Sequence, residues 1–61
     1  MPYYYVSARS GWHIVRATNM RLAKRDGVRE YGRGNVIDVR TATDNEVHEY
    51  TILKGEIEDV E

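Results

Sequence analysis

Several residue types that usually stabilise a small domain are missing or scarce in this 61-residue chain. It contains no cysteine and no phenylalanine, one proline and only two leucines. Without cysteine there is no disulfide and no thiolate ligand for a metal ion. No apolar run approaches the roughly 20 residues of a membrane-spanning helix, so we expect no membrane partner. The first residues lack the basic and apolar regions of a signal peptide, and we therefore expect a cytoplasmic protein.

The larger aliphatic residues, valine, isoleucine and leucine, are mostly β-branched. Seven valines, four isoleucines and four threonines accompany five tyrosines and one tryptophan. Such side chains fit a pleated sheet better than a helix. The predicted fold class is therefore all-β: a small antiparallel meander curled into a partly open SH3-like barrel, with one short helical turn as an option. We expect one domain, residues 1–61, that buries only about 60% of its unfolded surface.

Residues 3–9 and 12–18 are predicted to form a hairpin around a Ser10-Gly11 turn. Because successive side chains alternate across a strand, this register divides them between two faces. The face predicted to form the core carries Tyr4, Val6, Ala8, Val15 and Ala17. The opposite face carries Tyr3, Tyr5, Arg9, Trp12 and Arg16. Ile14 shares that opposite face, which leaves open a structure in which both faces are covered.

Residues 36–43 and 46–53 are predicted to pair as a second hairpin. The dipeptide Asp44-Asn45 supplies its turn, since both residues tolerate a left-handed backbone. A slip of one residue would turn the apolar side chains outward, so the register is well specified. The segment GNVIDVR at 34–40 resembles strands of KOW- and SH3-type modules, but this likeness covers a handful of residues and implies no site.

The middle of the chain, residues 19–35, fits two structures. In the first, Asp26-Gly27 is the turn of a third hairpin. In the second, Asn19 is the N-cap of a short helix that Gly27 terminates. The hairpin is slightly favoured, although it places two basic residues opposite each other.

Charge is unevenly distributed along the chain, although the net charge is only −1. Residues 16–33 hold six basic and two acidic side chains, whereas residues 44–61 hold seven acidic and one basic. This asymmetry predicts a basic contact surface and an acidic C-terminal segment at 54–61. It fits equally well a fold in which the two regions neutralise each other.

The aromatic and basic side chains predict a non-enzymatic binding module. We expect a small protein-interaction or inhibitor domain whose partner is another protein, a second copy of this chain in a homodimer being one option. The alternative is a small nucleic-acid-binding barrel that stacks bases on its rings beside a basic flank. The candidate contact residues are Tyr3, Tyr5, Arg9, Trp12, Arg16, Arg21, Lys24, Arg25, Arg29 and Arg33. Some of them also fit a purely internal role, as cation–π pairs that stabilise the hairpin.

The sequence predicts no catalytic site, no cofactor, no metal ion and no small-molecule substrate. Its two histidines, His13 and His48, lack the spacing of metal ligands. No serine, histidine and acid converge in the predicted register. The fragment Gly32-x-Gly34 lacks the strand and helix that flank a phosphate-binding loop.

Overall fold

The computed structural model describes residues 1–60 and has an α+β fold in which two helices pack on one open sheet. The elements follow the chain as β1 (Tyr3–Ala8), β2 (Gly11–Ala17), α1 (Met20–Tyr31), β3 (Val36–Thr41), α2 (Asp44–Leu53) and β4 (Glu58–Val60). The predicted all-β, SH3-like barrel is therefore wrong, because two segments predicted as hairpin strands form helices. Neither helix in this part of the chain has the length and apolar character needed to cross a membrane.

The four strands form a mixed sheet in the order β3-β1-β2-β4. β1 is antiparallel to both β2 and β3, and β4 is parallel to β2. The helix α1 connects β2 to β3, and α2 connects β3 to β4. Each helix thus joins two parallel strands, and the two connections run in opposite directions across the sheet. Because such crossovers nearly always have the same hand, opposite directions place the two helices on opposite faces of the sheet.

The first hairpin is present, but its turn is Arg9-Ser10 rather than Ser10-Gly11. Ala8 pairs with Gly11 and Ser7 with Trp12. Neither turn residue has a positive φ, so the glycine-dependent turn types expected from the sequence are not used here. The pairing differs from the predicted one by two residues, which leaves every side chain on its predicted face.

The predicted core face of this hairpin is confirmed. Its five residues, Tyr4, Val6, Ala8, Val15 and Ala17, are all buried. All of them except Ala8 pack in one cluster with Ala23 of α1 and the partly buried apolar side chains around it. On the other face, Ile14 is only 1% exposed. Both faces of the sheet are therefore covered, one by each helix.

The middle segment is a helix, so the favoured third hairpin is wrong and the helical alternative is right about its start. The Asn19 side chain accepts a hydrogen bond of 3.0 Å from the backbone of Leu22. The predicted stop at Gly27 is wrong, because α1 continues to Tyr31. Gly32 ends the helix with φ 96°, a backbone angle that favours glycine.

Gly27 lies inside α1 because the helix passes very close to the sheet at this residue. A Cβ atom at this position would lie 2.7 Å from Val6 Cγ1 and 3.5 Å from Val36 Cγ2. Ala23, one turn earlier, is also fully buried. Two small residues four apart thus let the helix backbone rest on the side chains of the strands.

The predicted second hairpin is wrong as well: its first half is β3 and its second half is α2. Thr43 and Glu46 form a capping box at the start of α2. The Thr43 hydroxyl accepts from the Glu46 backbone at 3.2 Å, and the Glu46 carboxylate accepts from the Thr43 backbone at 2.9 Å. The pattern Thr-x-x-Glu is itself a helix-start signal. It outweighs the turn preference of Asp44-Asn45 inside it, since acidic residues also suit a helix N-terminus.

Replacing Gly27 with alanine tests the close approach of α1 to the sheet. Alanine favours an isolated helix over glycine by about 1 kcal/mol. Overpacking a core contact costs about 1–3 kcal/mol, and the nearest atom here belongs to Val6 on a central strand. We expect Gly27→Ala to lower the free energy of unfolding by about 1 kcal/mol or more in urea titrations. Arg25→Ala, on the exposed side of the same helix, is the control and should not lower the free energy of unfolding, because it fills no space in the core and removes the repulsion from Arg21 and Arg29. A stabilised Gly27→Ala variant would contradict this packing.

Candidate functional site

Four side chains form a row across the face of the sheet that carries α2. The Arg40 guanidinium carbon lies 4.4 Å from the centre of the Tyr5 ring. Tyr5 stacks on Trp12, with ring centres 5.2 Å apart and planes inclined by 9°. Lys54 Nζ lies 4.6 Å from the centre of the Trp12 ring. We call these four residues the cation–aromatic stack; attraction between a cation and a ring face holds each end of it.

The end of α2 also closes one edge of the sheet. β4 pairs only with the end of β2, from Val15 to Ala17, and leaves the outer side of the first half of β2 without a strand. There Lys54 Nζ donates to the Trp12 carbonyl at 2.6 Å. The Tyr50 ring packs edge-on against Trp12, and burial raises the pKa of its phenol above the ordinary value. The end of α2 thus takes the place of a strand at this edge.

This arrangement occupies the rings that the sequence proposed for base stacking. Arg40 comes from β3 and Trp12 from β2, so they approach Tyr5 from the two sides of β1. Trp12 in turn contacts Tyr5, Lys54 and the ring of Tyr50, whose centre is 5.4 Å away. A base could stack on either ring only after displacing a cation of the protein itself. The internal role considered for these rings is thus realised, but with cations from β3 and α2.

Glu46 connects the stack to the start of α2. Its carboxylate accepts two hydrogen bonds from the Arg40 guanidinium, of 2.8 and 2.5 Å, in a bidentate pair. The same carboxylate closes the capping box with the Thr43 backbone. The Arg40 bonds foremost, and then the Thr43 backbone, lower the pKa of Glu46 to about 2. One carboxylate therefore attaches α2 to β3 and orients the cation over Tyr5.

The structure separates the ten predicted contact residues instead of gathering them on one surface. Four lie on the α2 face of the first hairpin: Tyr3, Tyr5, Trp12 and Arg16. Arg9 lies in the exposed turn and Arg33 in the exposed loop after α1. The remaining four, Arg21, Lys24, Arg25 and Arg29, lie on the outer side of α1, across the sheet from Trp12. The predicted basic flank is therefore not adjacent to the aromatic rings.

The exposed cations of α1 form a second candidate surface, which we call the basic ridge (Arg21, Lys24, Arg25 and Arg29). Three of them recur every four residues, a spacing at which like charges repel by about 0.2–0.5 kcal/mol per pair. Arg21 also lies in the first helical turn, where the helix dipole disfavours a cation and where no acidic residue compensates. Arg29 is favourably placed, in the last turn and 4.0 Å from Asp26. The unfavourable placement of Arg21 and Arg25 is what marks the row as a candidate contact surface.

Acidic residues of β4 lie beside the basic ridge. Arg25 and Arg29 line one side of a shallow cleft, and Glu58 and Asp59 line the other. The Asp59 carboxylate itself lies on the other face of the sheet, in a bidentate pair with Arg16 of β2. Its hydrogen bonds of 2.7 and 2.8 Å lower the pKa of Asp59. The acidic segment thus neutralises one cation and approaches two others, as the second interpretation of the charge asymmetry expected.

Sequence analysis missed a polar network between β2 and α1. His13 Nδ1 lies 2.8 Å from the Tyr31 hydroxyl, and His13 Nε2 lies 3.2 Å from an Asp26 carboxylate oxygen. When Nε2 carries the ring proton, it donates a hydrogen bond to Asp26, and Nδ1 can accept a hydrogen bond from the Tyr31 hydroxyl. Burial foremost raises the pKa of the Tyr31 phenol, which keeps it protonated as a donor. The network joins the helix to the strand, and finding it required knowing that residues 26–31 are helical.

Two broader observations bear on function. Within residues 1–60, no group of three or more histidine, aspartate or glutamate side chains converges as a set of metal ligands. Comparisons with protein-family models, with curated proteins and with solved structures find no match to this chain.

Replacing Arg21 with glutamate tests whether the basic ridge weakens α1. The substitution places an anion in the first turn, which is worth about 0.3–1 kcal/mol, and removes the repulsion from Arg25. We expect Arg21→Glu to raise the free energy of unfolding by about 0.5–1 kcal/mol in urea at low salt. Thr18→Glu, just before the helix, adds an anion without removing a ridge cation and should stabilise less. An unchanged or lower stability of Arg21→Glu would show that the ridge cations do not weaken α1.

The lowered pKa of Glu46 predicts an acid-sensitive contribution to stability. A carboxyl whose pKa falls from 4.5 to about 2 on folding stabilises the native state above pH 4.5, and this contribution is lost as the pH falls towards 2. We expect Glu46→Gln, which keeps the capping shape, to reduce the loss of stability over this range. Thermal unfolding followed at several pH values measures this loss of stability. Glu49→Gln, exposed on the same helix, is the control and should lose stability with falling pH as steeply as the wild type.

Proposed function

We propose that this chain is a non-enzymatic protein-interaction module whose contact surface is the basic ridge together with the Glu58 carboxylate of β4 beside it. The observation that carries this proposal is an exposed row of cations, two of them unfavourably placed for their own helix, next to Glu58. A surface with both signs of charge is complementary to a protein surface that also presents both. Occupying a partner's surface in this way is also how a small inhibitor domain acts.

The partner proposed here is a protein rather than a nucleic acid because of the local charge. A phosphate backbone that approached Arg25 and Arg29 would also meet the Glu58 carboxylate. The net charge of −1 adds no general attraction for a polyanion. In this proposal the cation–aromatic stack organises α2 and does not meet the partner. The cytoplasmic location and the lack of an enzymatic role stay predictions.

Nucleic-acid binding is the second candidate, and the basic ridge is the observation that favours it. Its cations recur every four residues along an exposed helix, and Arg33 continues them into the next loop. Such a row matches the regular spacing of phosphates better than it matches any small ligand. This candidate predicts an affinity that falls steeply with salt, with a smaller salt slope when ridge cations are removed.

Capture from cell lysate, with and without nuclease, tests the two candidates with a ridge variant. We expect the immobilised protein to retain a nuclease-resistant protein band. Replacing three ridge cations with glutamine should reduce this band by about tenfold or more, since interface arginines are often hot spots. The variant carries Arg21→Gln, Arg25→Gln and Arg29→Gln.

The control variant changes the net charge by the same three units at exposed positions away from the ridge: Ser10→Glu, Asn45→Glu and Thr51→Glu. It should capture the partner as the wild type does, because the specific contacts are intact. Capture that the ridge variant retains in full would contradict the proposed surface. Capture that nuclease abolishes would favour the nucleic-acid candidate over the protein candidate.

A further inference from the structure

The two edges of the sheet differ in how they are covered. One edge is formed by the short strand β4 and by the α2 side chains that cap β2. The other edge is β3, and nothing in residues 1–60 pairs with its outer side. α2 packs over β2, and α1 lies over the inner strands and one face of β3, so neither helix covers this edge. An uncovered strand offers its outward backbone groups to another strand.

The outward groups of β3 follow from its pairing with β1. The Ala42 backbone donates to the Tyr3 carbonyl at 2.9 Å, so the peptide groups of Ala42 point towards β1. Because this direction alternates along a strand, those of Arg40 and Asp38 also point towards β1. The N–H and C=O of Val39 therefore point outward, and so does the N–H of Thr41.

We propose that β3 pairs with β3 of a second copy of this chain, antiparallel, about a two-fold axis at Val39. Such an axis is perpendicular to the sheet, so paired residues must lie on the same face. Pairing centred on Val39 places Asp38 of each copy opposite Arg40 of the other. Pairing centred on Asp38 or on Arg40 would place like charges opposite each other. The charges of this strand thus select one register.

The side chains around this edge also fit a second copy. On the α1 side of this edge lies a cleft of about 260 Å³. Its lining includes Met20 and Lys24 of the helix and Val36, Ile37 and Val39 of the strand. Ile37 is 67% exposed and Met20 is 44% exposed. A second sheet continued from this edge would cover both of these apolar side chains.

Arg40 can take part in this pairing without leaving the cation–aromatic stack. Its two terminal nitrogens donate to Glu46 and to the Thr41 carbonyl. Its Nε has no partner in the described part of the chain, and a guanidinium has five N–H donors in all. Asp38 of the second copy would therefore extend an existing ion pair into a network. The dimer would have one eight-stranded sheet with both basic ridges on the same face, but its formation does not depend on the function proposed for the ridge.

Sedimentation over a concentration series from micromolar to millimolar tests the dimer. Asp38→Arg places an arginine opposite Arg40 of the other copy. We expect this variant to weaken dimerisation by about tenfold or more, since it replaces two attractive pairs with two repulsive ones. Glu49→Arg, exposed on α2, changes the net charge equally and should dimerise as the wild type does. Circular dichroism confirms that both variants are folded.

Amide hydrogen exchange in the wild type tests the register. In the dimer the amides of Val39 and Thr41 are hydrogen-bonded between copies, so dilution should accelerate their exchange. The amide of Ala42 bonds to Tyr3 within one copy and should exchange at a rate independent of concentration. A wild-type monomer at millimolar concentration would overturn the proposal. So would a dimer that Asp38→Arg leaves unweakened, or one in which exchange at Val39 does not respond to dilution, because its interface would lie elsewhere.

Discussion

The backbone of α1 lies directly on the side chain of Val6, because Gly27 has no Cβ to hold the helix away. This contact sets how closely α1 covers the sheet, and hence how well Val15 and Ala17 are removed from water. In a chain of 61 residues the core is small, and few other contacts can compensate for a gap in it. The glycine weakens the helix locally, and the packing that it permits offsets that loss.

The second face of the sheet is covered by a different kind of contact. No residue of α2 is fully buried. The helix is attached through the Arg40–Glu46 pair at its start and through Tyr50 and Lys54 at its end. Cation–π and charge-assisted contacts near water are individually weaker than apolar burial. We therefore expect α2 to open locally before α1 does, since local stability follows the buried apolar contacts of each element.

The cations of the chain accordingly fall into two groups: some hold elements of the fold together, and others are exposed on the surface. Arg16, Arg40 and Lys54 are used internally, on Asp59, Tyr5 and Trp12. The cations of the basic ridge are exposed, and the uncovered edge of β3 lies beyond them. The surfaces that remain for partners are thus a charged helix and a strand edge, while the aromatic rings contribute to the internal organisation of the fold.

The sequence by itself determined the faces of the first hairpin and the start of α1. The alternation of Tyr4, Val6, Val15 and Ala17 fixes one face whatever the turn, and Asn19 caps a helix by a local hydrogen bond. The Thr-x-x-Glu pattern from Thr43 to Glu46 is a local signal for the start of α2, but the β-branched composition and the turn-like dipeptide Asp44-Asn45 inside the pattern favour a hairpin. Tertiary structure alone decided that Gly27 continues a helix, since only the proximity of Val6 explains a missing side chain there. Tertiary structure also decided which cation contacts which ring. Arg40 and Lys54 are distant in sequence from Tyr5 and Trp12, and local sequence preferences do not predict contacts between distant residues.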